Sequence, residues 1–227
     1  MPGEFDPDDP LDPFAPLFYF PQRTSTDGPF GNRSSPALSG SRILPPSMQT
    51  CVALLRGVNV GGKTINMEPL RAALEELGFC NVRSYVQSGN IVFATRQASP
   101  NRLSKAIEQR ILRDFDLSIR VLVKTLKEIE EIVKRNPFVK DKAIDQSKLH
   151  ITFLSEGPKM ASTSDLEGLA TNGERFHVID QQIYLYCPNG YGRTKLSNNT
   201  IEKKLSVVAT TRNWRTVNAL LAMMQLD

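Results

Sequence analysis

A strand, a helix, a hairpin of two strands and a second helix recur in this chain of 227 residues, and the recurrence limits the fold more than any single motif does. The apolar run 51–55 reads as a buried strand, after which Met67, Leu70, Leu74 and Leu77 return at helical spacing, with Asn66 placed to cap that helix and Gly78 to stop it. Residues 82–87 and 90–94 alternate as strands around Ser88-Gly89, a turn by its residue types. Leu103, Ile107, Ile111 and Phe115 mark the second helix, and residues 119–123 a closing strand. A connecting helix with Leu126, Ile129 and Val133 on one face runs into Asn136-Pro137, where proline breaks it. The order then partly repeats. It gives a strand at 149–154, a short helix at 164–170, a hairpin from 175–179 and 182–187, and a helix from about 198 to 205. Even the letters echo: Leu103-Ser104 leads to Ile107-Glu108 after the first hairpin, and Leu196-Ser197 to Ile201-Glu202 after the second. A brief extended Val207-Val208 and a closing helix bearing Trp214, Val217, Leu221 and Met224 end the chain. The expected class is α+β: two ferredoxin-like βαββα(β) units in tandem, at 48–124 and 148–227, with a linking helix and loop at 125–147 and helices packed on antiparallel or mixed sheets.

Residues 1–47 stand apart. They hold ten of the fifteen prolines and carry six acidic residues against Arg23, Arg33 and Arg42, a balance of minus three. The segment has no helical or strand period and reads either as a disordered Pro-rich tail or as an over-extended gene start. The remaining residues hold 25 basic against 18 acidic side chains, plus seven. MPGEFDPDDP resembles neither a signal peptide nor a transit peptide, and no apolar run approaches the roughly 20 residues that cross a bilayer. The expectation is a cytoplasmic protein without a membrane partner. Cys51, Cys80 and Cys187 match no metal-site or disulfide spacing and read as reduced thiols, while His150 and His177 sit in strand-like surroundings. No metal and no cofactor is expected, and no oligomeric state is legible.

Residues 57–64, GVNVGGKT, fit the letters of a phosphate-binding loop. In such a loop Gly-Lys-Thr opens the helix, so that helical N–H groups face the phosphates. Here Pro69 favours a helix that begins near Asn66 or Met67, because proline suits a first turn and costs about 3 kcal/mol in an interior. The tandem order also lacks the alternating parallel layout of a nucleotide hydrolase, and Asp180 is the one fair candidate for a magnesium-holding carboxylate. What remains is a glycine-rich turn, or a loop whose Arg56, Asn59 and Lys63 hold an anion without hydrolysing it.

Other cations support the anion reading. In ATTRNWRTV, with Thr211 or Asn213 as helix cap, Arg212 and Arg215 fall at the positive end of a helix dipole, where cations cost about 0.3 to 1 kcal/mol unless something negative offsets them. Arg193 and Lys195 likewise precede a helix that Ser197 is placed to cap. The alternative is internal pairing with the chain's own Asp and Glu. The first and third strands lack the alternating aromatics of an RNA-stacking sheet, and Trp214 has core spacing.

The stretch ALLRGVNVGGKTINMEPLRAALEELGFCNVRSYVQSGNIVF, with ATTRNWRTVNALL near the end, resembles the bacterial family called domain of unknown function 1697, from about residue 48 to 226. Three blocks carry the resemblance: LLRGVNVGGK, YVQSGN and TTRNW. It implies a cytoplasmic α+β protein of two ferredoxin-like units and brings no activity, substrate or cofactor. Its blocks coincide with the polar loop positions Arg56, Asn59, Gly61, Gly62 and Lys63, then Gln87, Ser88, Gly89 and Asn90, then Thr211, Arg212, Asn213 and Trp214. With Arg193 and Lys195, these are the candidate ligand residues. The leading functional expectation is binding of an anionic ligand, either a phosphate-bearing small molecule, a nucleotide or nucleic acid. The alternatives are an enzyme acting on a phosphorylated small molecule, with catalytic residues unknown, and an interaction module whose polar motifs are structural.

Overall fold

The computed structural model describes residues 48–59, 64–97, 99–158 and 160–226, all within one compact unit. Residues 1–47 and Gly61, Gly62 and Lys63 lie outside the described residues.

Strand β1 (Gln49–Leu55) is a continuous apolar run because both of its faces are covered. Cys51, Ala53 and Leu55 enter one core, and Val52 and Leu54 another. Helix α1 (Met67–Glu75) begins after Asn66, whose side chain accepts from the Glu68 N–H. Thr64 and Ile65 therefore precede the helix, so Thr64 does not open it as the Thr of a phosphate-binding loop does. Strands β2 (Cys80–Ser84) and β3 (Asn90–Thr95), helix α2 (Pro100–Phe115) and strand β4 (Val121–Thr125) complete the first half. Its strands pair antiparallel in the order β2-β3-β1-β4. Helix α3 (Leu126–Lys134) follows without a loop, started by a capping box between Thr125 and Glu128.

The second half repeats the plan with β5 (Leu149–Leu154), α4 (Met160–Glu167), β6 (Arg175–Ile179), β7 (Gln182–Tyr186), α5 (Asn198–Leu205) and β8 (Ala209–Asn213), closed by α6 (Trp214–Met224). Its sheet order is β6-β7-β5-β8, again antiparallel throughout. The inner faces of both sheets meet around α3 and α6 in a central core that includes Val52, Leu54, Ile151, Phe153, Ile129 and Leu220. The outer faces are covered separately by α1 with α2 and by α4 with α5. No described helix is long and apolar enough to cross a membrane.

The halves correspond bond for bond. Leu55 N donates to Gly89 O at 2.8 Å, and Leu154 N to Gln181 O at 2.9 Å. Arg56 N donates to Arg120 O at 2.8 Å, and Ser155 N to Val208 O at 2.9 Å. Val121 N reaches the Glu108 carboxylate at 2.8 Å, and Ala209 N reaches that of Glu202 at 3.0 Å. Arg56 thus corresponds to Ser155, Gly89 to Gln181, Asn90 to Gln182, Glu108 to Glu202 and Lys124 to Arg212.

Four boundaries differ from expectation, the first being β4, which runs Val121–Thr125 rather than 119–123 because Lys124 and Thr125 continue the pairing with β1. Strand β2 starts at Cys80 and ends at Ser84, because Asn81 and Val86 adopt positive φ and the register shifts between Cys80 and Arg83. Helix α4 runs Met160–Glu167 rather than 164–170, and Leu169 N donates to Leu166 O in the turn that follows it. The extended end of the second half is a full edge strand, Ala209–Asn213, displaced from Val207-Val208. Polar side chains hide it, because an edge strand needs no alternating apolar face where its polar groups find partners. The buried face of α6 carries Leu220, with Leu221 only partly covered.

Gly89 turns at φ +68°, and a Cβ there would stand 2.8 Å from the Leu55 Cβ. Gly89→Ala is expected to lower stability by about 2 to 4 kcal/mol, from left-handed strain and overpacking together. Urea denaturation of the full chain measures it.

Candidate functional site

The end of β1, the β2-β3 turn and strand β8 converge where the halves meet. Arg212 is the centre of this joint. Its Nε donates to Asn90 Oδ1, its Nη1 to Thr210 Oγ1 at 2.8 Å and Thr211 O at 2.9 Å, and its Nη2 to Leu55 O at 2.9 Å and Gly89 O at 3.3 Å. All five guanidinium donors are satisfied. Every acceptor is neutral. Burial, with the Arg56 cation beside it, pushes the Arg212 guanidinium down to about 10, still well above neutral pH. Because the helix cap is Asn213, Arg212 belongs to the strand, and the offset expected for a cation at this helix end comes from carbonyl and amide oxygens of the opposite half.

Arg56 crosses the same joint. Its Nε and Nη2 bind both Glu202 oxygens at 3.0 and 3.1 Å, and Nη2 also meets Asn199 at the start of α5. Glu202 meanwhile accepts from Ala209 N, so one carboxylate ties together β1, α5 and β8. Asn59, at φ 58°, closes its own loop by exchanging bonds with Ile65 and reaches the Gln87 carbonyl. The buried amide of Asn90 donates to Tyr85 O at 3.3 Å and Ser88 Oγ at 2.8 Å. Thr211 bonds Thr152, Tyr191 and Asn198, Asn213 caps α6, and Trp214 lies in the central core. The structure therefore brings Arg56, Asn59, Gln87, Ser88, Asn90, Thr211 and Arg212 to one joint. Arg193, Lys195 and Arg215 are exposed and form no ion pair among the described residues.

The corresponding place on the other side of the molecule is built from different residues. Ser155 stands where Arg56 stands in the first joint, and Lys124 stands for Arg212. A hydroxymethyl group replaces a guanidinium, and a cleft of about 500 Å³ opens between α2, β4 and the ends of β5 and β8. Lys124 lines it with a side chain only 8% exposed. Its ammonium donates to Glu128 Oε1 at 3.2 Å and Gln181 Oε1 at 3.0 Å, two of three available N–H groups. Lys105 and Arg120 stand at the rim, and the sixteen-residue α2 opens toward the cleft with Ser99 as cap. Ser99, Ser104 and Ser155 have their hydroxyls engaged with Arg102 N, Pro100 O and Val208 N. A second chamber of about 280 Å³ shares Lys124, Glu128 and Gln181 and adds Gln182, Tyr184 and the exposed pair Arg135–Asp180. Asp180, the candidate magnesium carboxylate, is thus half of an ion pair.

Lys124, Gln181 and Gln182 carry no motif signal. The one hint is a lysine inside the apolar strand VLVKT. Matching it to Arg212 requires knowing that α2 has 16 residues and α5 only 8, which shifts the alignment between the halves.

An α+β chain of two equivalent four-stranded antiparallel sheets, joined through arginine on one side and open on the other, is the class that fold and joint define. The chain belongs to the family described as "Protein of unknown function (DUF1697)", whose model matches residues 48–184, more than half its length. The match covers the first two blocks and stops before TTRNW. Among solved structures, a conserved bacterial protein from Streptococcus pneumoniae is similar at 24% identity and a TM-score of 0.63, over 78% of this chain and 99% of that one. At that identity the likeness is one of fold. No curated protein matches the chain.

Removing the guanidinium takes the donor from Asn90 Oδ1, Leu55 O, Thr210 Oγ1 and Thr211 O, while Gly89 O keeps the Leu55 N–H. Arg212→Met is expected to cost about 3 to 5 kcal/mol in urea denaturation, at roughly 1 to 3 kcal/mol for each acceptor left without a partner. A double-mutant cycle on Arg56 and Glu202, both partly solvated, should return a coupling of about 1 kcal/mol.

Proposed function

We propose that this chain binds a small anionic ligand in the cleft at Lys124, and that the three sequence blocks build the opposite joint that holds the halves in register. The observation that carries the reading is the Lys124 ammonium, withdrawn from water beside a 500 Å³ cleft with one donor unused. A buried cation with an open donor gains from a charge-assisted bond, since such bonds are roughly twice as strong as neutral ones. The surroundings favour an anion. Lys105, Arg120 and Lys124 exceed Glu108 and Glu128 by one among the lining residues, with Arg120 paired to Glu108 at 3.7 Å and Lys124 to Glu128 at 3.2 Å, and the N-terminal end of a long helix adds partial positive charge. The volume suits a small molecule rather than a nucleic-acid strand. Binding is favoured over catalysis because the described lining of the cleft has no His or Cys, so no imidazole stands beside its serine hydroxyls to activate one. By contrast, Arg212 offers an anion no free donor, and Arg56, with both Glu202 oxygens and Asn199 on its Nε and Nη2, is not in the lining of the cleft.

A thermal-shift panel of the full chain against phosphate, pyrophosphate, sugar phosphates and nucleotides tests the proposal. A ligand near 100 times its Kd adds about 2.7 kcal/mol and raises Tm by roughly 5 to 10 °C. The shift should vanish in Lys124→Met and survive in Arg193→Ala and Lys195→Ala. A shift that survives Lys124→Met but disappears in Arg193→Ala, Lys195→Ala or Lys63→Ala places the anion elsewhere and overturns the cleft reading, as does the absence of any shift.

A further inference from the structure

The two joints differ in one more respect. Asn90, at the start of β3, has its amide saturated by Tyr85 O, Ser88 Oγ and the Arg212 guanidinium. Its counterpart Gln182, at the start of β7, is 7% exposed, lines the 280 Å³ chamber and makes no side-chain hydrogen bond among the described residues. The reason is geometric. The Lys124 ammonium reaches only as far as Gln181, whereas the longer and forked Arg212 spans Leu55, Gly89 and Asn90 at once. An amide in this position offers two N–H donors and a carbonyl acceptor in one plane. The Gln182 amide atoms face the open space of the chamber and stay in reach of water there, so a complementary edge that enters exchanges their water bonds for its own. Tyr184 and Ile132 also line the chamber, beside the charged Glu131, and the Tyr184 hydroxyl is engaged in donating to Ile132 O at 3.0 Å. Lys124, Glu128 and Gln181 form the boundary shared by chamber and cleft.

Resting on the anion reading of the cleft, we infer that the ligand is two-headed: its anionic group meets Lys124 in the cleft, and a planar donor–acceptor edge enters the chamber and pairs with the Gln182 amide. Gln182 is then the residue that sets specificity, and Lys124 supplies affinity. Two sources present this chemistry, the base edge of a nucleoside monophosphate and the carboxamide of a small amino acid such as glutamine or asparagine.

Calorimetric titration of the full chain with ribose 5-phosphate, nucleoside monophosphates, glutamate and glutamine separates the elements. A molecule with both heads should bind at least tenfold more tightly than its partner lacking the edge: a nucleotide over ribose 5-phosphate, or glutamine over glutamate. Gln182→Met, close in volume, should abolish that difference while leaving ribose 5-phosphate or glutamate binding unchanged. Which pair shows the gain identifies the source. If the anions bind in a Lys124-dependent way but neither edge adds affinity, or if the gain persists in Gln182→Met, this inference fails and the anion reading stands. If ribose 5-phosphate, glutamate and their two-headed counterparts all bind without dependence on Lys124, or none binds, both fail.

Discussion

The guanidinium of Arg212 is the contact on which the arrangement of the two halves depends. The central core is apolar and has no directional preference, so it presses the sheets together without fixing where their ends meet. At those ends lie the Leu55 carbonyl, which needs a donor, the Gly89 carbonyl, which takes a second one beside the Leu55 N–H, and the buried amide of Asn90. A single planar group with five donors satisfies them while anchored to its own strand through Thr210 and Thr211. Lysine has neither the reach nor the fork for this. Gly89 belongs to the same device, because a side chain there would collide with Leu55 and move the carbonyl that Arg212 holds.

The halves are equivalent in fold and unequal in chemistry. Equivalent backbone bonds recur at the ends of β1 and β5 and at the starts of β4 and β8, so the second joint has the same skeleton as the first. With Arg56 replaced by Ser155 and Arg212 by Lys124, that skeleton encloses a cleft and a chamber instead of a salt-bridged seal. A duplicated unit can thus divide its work. One joint is bonded across by arginine, and the other encloses open space beside Lys124.

Much of the fold was legible, and the reasons are local. Asn66, Ser197 and Asn213 cap helices because short polar side chains reach their own first-turn N–H groups, and those bonds depend on nothing distant. The burial of β1 followed from its unbroken apolar run. The late start of α1, which leaves Thr64 ahead of the helix, followed from Pro69 and Asn66. Strand β8 was missed because ATTRN is polar, and its strand character comes from pairing with β5, five positions along. The polar blocks were recognisable as special, but their cations look the same in sequence whether they face a ligand or the other half of the chain.

What the sequence by itself determined is the inventory and order of elements, the α+β class, the tandem echo and most helix starts. All of these rest on interactions among residues a few positions apart. What only the tertiary structure decided is the role of the charges. Arg212 meets Asn90 across 122 positions, Arg56 meets Glu202 across 146, and Lys124 meets Gln181 across 57. Whether a cation is saturated or left with an open donor depends on what the folded chain brings to it from such distances, and no spacing rule within one strand or helix encodes that.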